Sequence, residues 1–485
     1  MSAGDLLGYL DRWSVRPGET LTVRASCRGA DRYDAGLVRV IQGDTHPDAP
    51  GYREQRIDLD LGGPFEARFQ PIEPGSHAVV ADHPAFAALG SFSIEMFAWP
   101  TTPGRDAQTL VARRDPGTGH GFELYLDVNG GLAAEVRTAA GGALVSSGRA
   151  LLPRRWYRLA MHYDAGTGLL GVMQEPLLAH PLTDDAAEVE AAAPRGLVQR
   201  DVEAPLTLAA RPHPDRSARR HYNGRIDSPV MRGGAGEAAG VVASWDFSVD
   251  IPSRRIVDTS PNALHARLVN LPARGVPGHA WDGSSHAWPH DATHYTAIHF
   301  HDDDLVDAGW QPSFELRIPD DLPSGVYAVR LFTAEDEFYL PFAVRPAPGA
   351  TRHAVTFLLP TASYLAYANN RIGLDVAETE LVCGRLVELT PHDLWMQEHP
   401  ELGLCFYDLH SDGSGVYYSS RHRPVMDFQP KWVGKLGGAG SNVWQFNADT
   451  HILGWLESLG VPFDVVTDED LHAEGAACLD GTRWC

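Results

Sequence analysis

Two stretches of the chain place tyrosines where coordination or proton chemistry would use them. In HAVTFLLPTASYLAYANNR, Tyr364 and Tyr367 stand three apart, so one turn of helix would set both phenols on one face. Tyr407 ends the apolar run of LGLCFYDLHSDGSGVYYSS, and Tyr417 and Tyr418 follow its glycine-rich turn. A phenol with its ordinary pKa of about 10 is neutral at about pH 7. A trivalent cation would displace the proton, as coordination does for other acidic ligands. Two phenolates and a carboxylate make a hard, anionic oxygen set suited to ferric iron acting as a Lewis acid. The same residues would serve as interface tyrosines with satisfied hydroxyls.

Other residues compete for chemical roles. The string IHFHDDDL packs His299, His301, Asp302, Asp303 and Asp304 together. Alternate histidines on a strand project from one face, which would suit a metal. The reading the sequence favours there is a solvated acidic loop capping a domain junction. His410 and Asp412, in YDLHSDGSG, either back the tyrosine site through hydrogen bonds or as general base, or simply make the turn. Cys405 lies between Leu404 and Phe406, the setting of a buried, inert thiol rather than a nucleophile. GKLGGAGSNVW lacks the Lys-Ser/Thr ending of a phosphate loop and reads as a flexible loop, a lid over the site.

The elements that must position these residues follow from hydrophobic period. A chain of 485 residues exceeds one core and divides into roughly three domains. Before residue 84, ETLTVRAS alternates Leu21, Val23 and Ala25 inward, which is strand period, and GLVRVIQGD and GSHAVVAD repeat the signal. Far downstream, PSGVYAVRLFTAEDEFYLPFAVRP is a hairpin, so 1–84 and 286–346 are expected to form one split β-sandwich, Ig-like in class. Residues 85–285, with strands at regular spacing and turns such as Asn129-Gly130, form a second, inserted sandwich. After the linker RPAPGATR, HAVTFLLP has the continuous apolar character of a buried parallel strand. NADTHILGWLESLG is then a helix, with Asn447 or Asp449 as cap and Gly460 as stop, and VPFDVVTDEDLH is another strand. Strand, helix and strand indicate an α/β sheet over 347–485, whose ligands gather at the carboxyl ends of strands, where PTASYLAYANN begins.

The formal charge of −23 argues against nucleic acid or an anionic membrane as partner. No apolar run approaches the roughly 20 residues that span a bilayer, and the start carries no secretion signal, so a cytoplasmic location is expected. Five cysteines without a CxxC indicate neither a disulfide framework nor a cysteine zinc site.

Two resemblances sharpen these expectations. FSIEMFAWP, WYRLAMHYDAGTG and NGRIDSPVM together resemble the laminin G-like, concanavalin A-like jelly roll, a fold that often binds sugars and is often only architectural. FLLPTASYLAYANNR, HFHDDDLVDAGW, SGVYAVRL and WLESLGVPFDVVTDEDLHAEG resemble the large (beta) subunit of the N,N-dimethylformamidase family over essentially the whole chain. That resemblance implies a jelly roll inserted in a β-sandwich, followed by a glutamine amidotransferase-like α/β domain. It also implies an amidohydrolase of small N-substituted formamides, with a mononuclear Fe(3+) held by two tyrosines and a glutamate. The tyrosines carry over to Tyr367 and Tyr407, with Tyr364 and Tyr417 as the fallbacks. In the family, DLHAEG runs on to a His-Pro-Glu-Tyr turn holding the glutamate, whereas this chain reads DLHAEGAACLDGTRWC. The resemblance thus implies an α/β domain truncated at its C-terminus, a missing Glu ligand and an activity in doubt. A small helical partner subunit and homo-oligomerisation are further implications. The contrasting expectation is a non-catalytic carbohydrate-binding or structural β-sandwich protein.

Overall fold

The computed structural model describes residues 4–199, 202–213, 215, 217–234, 240–347, 349–350, 352–371, 389–434 and 445–485. The chain is mostly β and divides into two compact units. One comprises Met1–Ile72, Leu305–Leu409 and Gly415–Cys485; the other comprises Glu73–Asp304 and His410–Ser414.

In the first unit, strands from before and after Glu73–Asp304 pair with each other. Thr20–Cys27 lies between Leu6–Leu10 and Phe314–Arg317, antiparallel to both. Its alternation buries Leu21, Val23 and Ala25, as period two requires of a half-buried strand. A second sheet runs Ser14–Val15, Glu337–Val344, Gly325–Phe332, Arg32–Gln42, Arg53–Ile57. The expected hairpin is there: Gly325–Phe332 and Glu337–Val344 pair in register from Gly325 opposite Val344 to Phe332 opposite Glu337. Leu10, Val23, Leu37, Val329 and Phe342 belong to the core these strands enclose.

The α/β portion is built onto the same unit. Val355–Leu359 and Phe463–Thr467 pair in parallel, and the helix Phe446–Ser458 precedes the second strand. Phe446, Leu453 and Leu456 on the helix, with Leu359 and Val465 on the strands, share a core with Val38, Val326 and Ala328 of the sandwich. The opposite face of the helix leaves Ile452, Trp455 and Leu459 exposed. The helix begins two residues before an Asn447 cap would place it, and four before an Asp449 cap would. Gln445 is the N-cap, so Asn447 and Asp449 lie in the first turn, and buried Asn447 donates instead to the Trp432 carbonyl at 2.7 Å. The stop is as expected, with Gly460 at φ +66° just past the last turn. The stretch 435–444, expected to form a lid, lies outside the described residues.

The second unit is a run of antiparallel strands around a large apolar core. Phe92–Pro100 pairs on one side with Tyr157–Asp164 and on the other with Gly224–Gly233, burying Phe92, Ile94, Met96 and Ala98. The DAGTGLLGV turn links Tyr157–Asp164 to Leu169–Pro176, and Gly168 takes φ +71° to close it. Strands His77–Val80 and Ala297–Phe300, which flank 85–285, belong to the same unit. The latter pairs with Gly224–Gly233 and ends at His299 and Phe300.

Candidate functional site

The tyrosines of the first unit sort into different roles. Pro360 ends Val355–Leu359, the helix Thr361–Ala366 follows, and Tyr367 is its C-cap at φ −110° and ψ 11°. Because Tyr367 has left the helix, its spacing from Tyr364 does not set the two phenols on one face. Tyr364 turns inward, packs on Phe428 at 5.1 Å, and donates to Asp449 Oδ2 at 2.6 Å. Burial, with the Asp449 charge, pushes its phenol well above the ordinary value. Tyr367 stacks instead on Tyr407, ring centroids 4.3 Å apart and planes 13° from parallel. Interaction with the Tyr407 hydroxyl, then burial, raises the Tyr367 phenol. Tyr407 is 53% exposed and Tyr417 57%. The stacked phenols therefore face a place that a ligand can reach.

A buried polar framework holds the two tyrosine-bearing segments. Arg371 donates to the carbonyls of Met396, His399 and Gly403 at 3.1, 2.7 and 2.9 Å. Arg423, fully enclosed, donates to the carbonyls of Leu402 and Leu404, each at 2.6 Å. Burial, with repulsion from Arg371, holds its guanidinium down to about 10. Two carboxylates answer them. Asp408 accepts the N–H groups of Arg371 and Cys405 at 3.1 and 2.9 Å, and Asp427 accepts that of Asn369 at 3.0 Å. Asn369 adopts φ +61°, a conformation asparagine tolerates, and donates to the carbonyls of Leu402 and Pro424 at 3.0 and 2.9 Å. The Phe406 N–H donates to the Ala366 carbonyl at 3.0 Å, joining the residues that precede each tyrosine. Cys405 is buried, and burial, then the Asp408 charge, pushes its thiol up to about 12.

The second unit gathers a different set of donors. The solvated acidic loop expected of IHFHDDDL does not form: His299, His301 and Asp304 are buried, at 4%, 0% and 8% exposure. His299 Nε2, both ring nitrogens of His301 and Asp304 Oδ2 have partners within the protein, which offsets the cost of taking them out of water. His299 Nε2 lies 3.2 Å from Asp412 Oδ2, and His301 Nε2 lies 3.9 Å from the same oxygen. His301 Nδ1 is 3.1 Å from Asp304 Oδ2, which also accepts the Ser76 hydroxyl at 2.6 Å. His410 stacks on His301, ring centroids 3.7 Å apart, and its Nδ1 is 2.6 Å from Asp303 Oδ1. His410 and Asp412 also build their turn. The His410 N–H donates to the Ser414 carbonyl at 2.9 Å, and the Ser414 N–H to Asp412 Oδ1 at 2.8 Å.

Charges in this cluster are set by burial against hydrogen bonding. Burial pushes the His299 imidazole down to about 4. Burial alone would raise Asp412, but hydrogen bonds from His299 and Ser414 hold its carboxyl far below the ordinary range. Burial would likewise lower His410, and Asp303 overrides it, raising the imidazole. The arrangement offers imidazole nitrogens and carboxylate oxygens that could hold a metal, whereas the tyrosine pair offers two hard oxygens.

Comparison with known proteins places the chain among relatives. Residues 273–483 match the family described as N,N-dimethylformamidase beta subunit-like, C-terminal. The N,N-dimethylformamidase beta subunit of an Alcaligenes species is 35% identical over 97% of this chain and 66% of its own length. That of Paracoccus aminophilus is 34% identical over 99% of this chain and 67% of its own length. This chain thus spans about two thirds of those relatives. Among solved structures, the Ruminococcus gnavus IT-sialidase CBM40 bound to alpha2,3 sialyllactose aligns with 33% of this chain and 85% of its own. Its identity is 15% and its TM-score 0.27.

Proposed function

The chain belongs to the N,N-dimethylformamidase beta-subunit family, and on that footing we propose that it is part of an amidohydrolase of small N-substituted formamides. The reaction is N,N-dimethylformamide plus water to dimethylamine plus formate. The observation that carries this reading is the stacked pair Tyr367 and Tyr407, half open to solvent and backed by the backbone clamps of Arg371 and buried Arg423.

Two phenols stacked with ring centroids 4.3 Å apart fit neighbouring positions around one hard cation, so Tyr367 and Tyr407 would hold a mononuclear Fe(3+). When bound, the ion supplies Lewis acidity at the formyl carbonyl. The chain's own residues do the rest of the preparation. The stacking holds the two rings side by side before any ligand arrives. Arg371 and Arg423 fix the backbone of Gly403 and Leu404 by clamping their carbonyls, so neither ring must reorganise to bind. Cys405, its thiol proton held by burial, stays out of the chemistry.

The laminin G-like and amidotransferase-like assignments, a small partner subunit, homo-oligomerisation and a cytoplasmic location belong to the same proposal. Among the described residues no helix is long and apolar enough to cross a membrane. The test is iron content and the visible spectrum of the purified chain, with Tyr367→Phe and Tyr407→Phe beside it. Stoichiometric iron with a tyrosinate-to-iron absorption band, lost in both variants, supports the reading. Iron retained by the folded double variant sinks it.

A further inference from the structure

The geometry points to a separate mononuclear site for a divalent transition ion of the zinc class, held by His299 Nε2, His301 Nε2 and Asp412 Oδ2 in the second unit. It uses neither tyrosine and stands whether or not the formamidase reading holds.

Three observations carry it. The ligand atoms already converge. Bonds of about 2.0–2.2 Å to one ion put neighbouring ligand atoms roughly 3.0–3.5 Å apart. The His299–Asp412 separation of 3.2 Å fits that spacing, and the His301–Asp412 separation of 3.9 Å needs only a small contraction. Next, His301 is oriented as a ligand is. Asp304 Oδ2 stands 3.1 Å from its Nδ1, the contact a metal-bound imidazole makes through its other nitrogen, and Nε2 is the ring nitrogen on the Asp412 side. Asp304 is itself fixed by the Ser76 hydroxyl at 2.6 Å, the carboxylate–histidine arrangement that tunes many metal ligands. Finally, the Ser414 hydroxyl stands 2.9 Å from His301 Nε2, where a fourth, neutral oxygen donor would sit.

Ligand chemistry narrows the ion. Imidazole nitrogens suit zinc and its first-row neighbours, whereas magnesium and calcium take oxygen shells. Burial of all three ligands makes the site structural in character. It would staple strand Ala297–Phe300 to the 410–414 turn, joining residues 113 apart in sequence.

The experiment titrates the chelator-stripped chain with Zn2+ and Co2+, beside the double variant Tyr367→Phe/Tyr407→Phe and the single variants His299→Gln and His301→Gln. One tight equivalent of Zn2+ is expected in the wild type and unchanged in the double tyrosine variant. It should weaken at least about 100-fold in each histidine variant. X-ray absorption of the zinc-loaded wild type should show two imidazoles and a carboxylate, and decides the matter even if a histidine variant fails to fold. A wild-type chain that takes up no Zn2+, a shell without imidazole, or full retention by folded histidine variants overturns the proposal.

Discussion

The tyrosine pair of the first unit and the histidine–aspartate cluster of the second are both sets of metal-competent donors, yet they are built in opposite ways. Tyr407 is more than half exposed, and the groups that fix its segment clamp backbone carbonyls rather than the phenols. In the cluster, the polar side chains are themselves the structure: His299, His301, Asp304 and Asp412 are buried and bond to one another. A donor set held from behind stays open to a ligand, whereas one that satisfies itself excludes water. The first design suits turnover and the second suits cohesion.

The sharpest way to break that contrast is to remove the clamp. Arg423→Met deletes hydrogen bonds to Leu402 and Leu404 and leaves buried carbonyls unpaired. It should cost on the order of 3–5 kcal/mol in urea unfolding. A loss below about 1 kcal/mol would mean the framework is not what holds the tyrosines.

Acid should then separate the two units. Burial pushes the Asp427 carboxyl up to about 6, so its charged form is disfavoured in the fold. The stability this withholds returns as pH falls from about 6 to about 4, on the order of 2–3 kcal/mol. The wild type should therefore gain on Asp427→Asn across that window. In the second unit, burial, then repulsion from His221, pushes His77 down to about 3. Its contribution is fully present above about pH 6.5 and is lost as pH falls toward 3. His77→Asn should lose less stability in acid than the wild type. Urea melts at several pH values check both, and parallel curves would refute the contrast.

Smaller effects complete the series. Tyr407→Phe should change stability by no more than about 0.5 kcal/mol in thermal melts, because the hydroxyl is on an exposed residue. Iodoacetamide at about pH 8 should label exposed Cys485 and leave Cys405 untouched in the folded chain, read by mass spectrometry. Rapid labelling of Cys405 would show that its segment opens.

What could be read from sequence follows the range of the interaction. The hairpin of Gly325–Phe332 and Glu337–Val344 and the helix ending before Gly460 are set by neighbours a few residues away, and both were legible. The Tyr367–Tyr407 pairing came from family resemblance, since nothing local distinguishes Tyr367 from the core residue Tyr364. The IHFHDDDL motif was misread because its acidity suggested water, while its partners Ser76 and Asp412 lie 228 and 113 residues away. Arg423 carried no signal at all. An arginine that feeds buried carbonyls looks, in sequence, like one that faces solvent.

The pairing of early with late strands has a consequence for biosynthesis. Thr20–Cys27 needs Phe314–Arg317, and the bond from Ala25 to Ser313 spans 288 residues. At about 5–20 residues per second, the ribosome delivers the late strand roughly 15–60 s after the early one. Through that interval the nascent amino-terminal strands have unpaired edges and exposed apolar faces, while Glu73–Asp304, most of the second unit, is being synthesised. Chaperone demand during translation should therefore fall on the first seventy or so residues, and should end when the hairpin at 325–344 emerges.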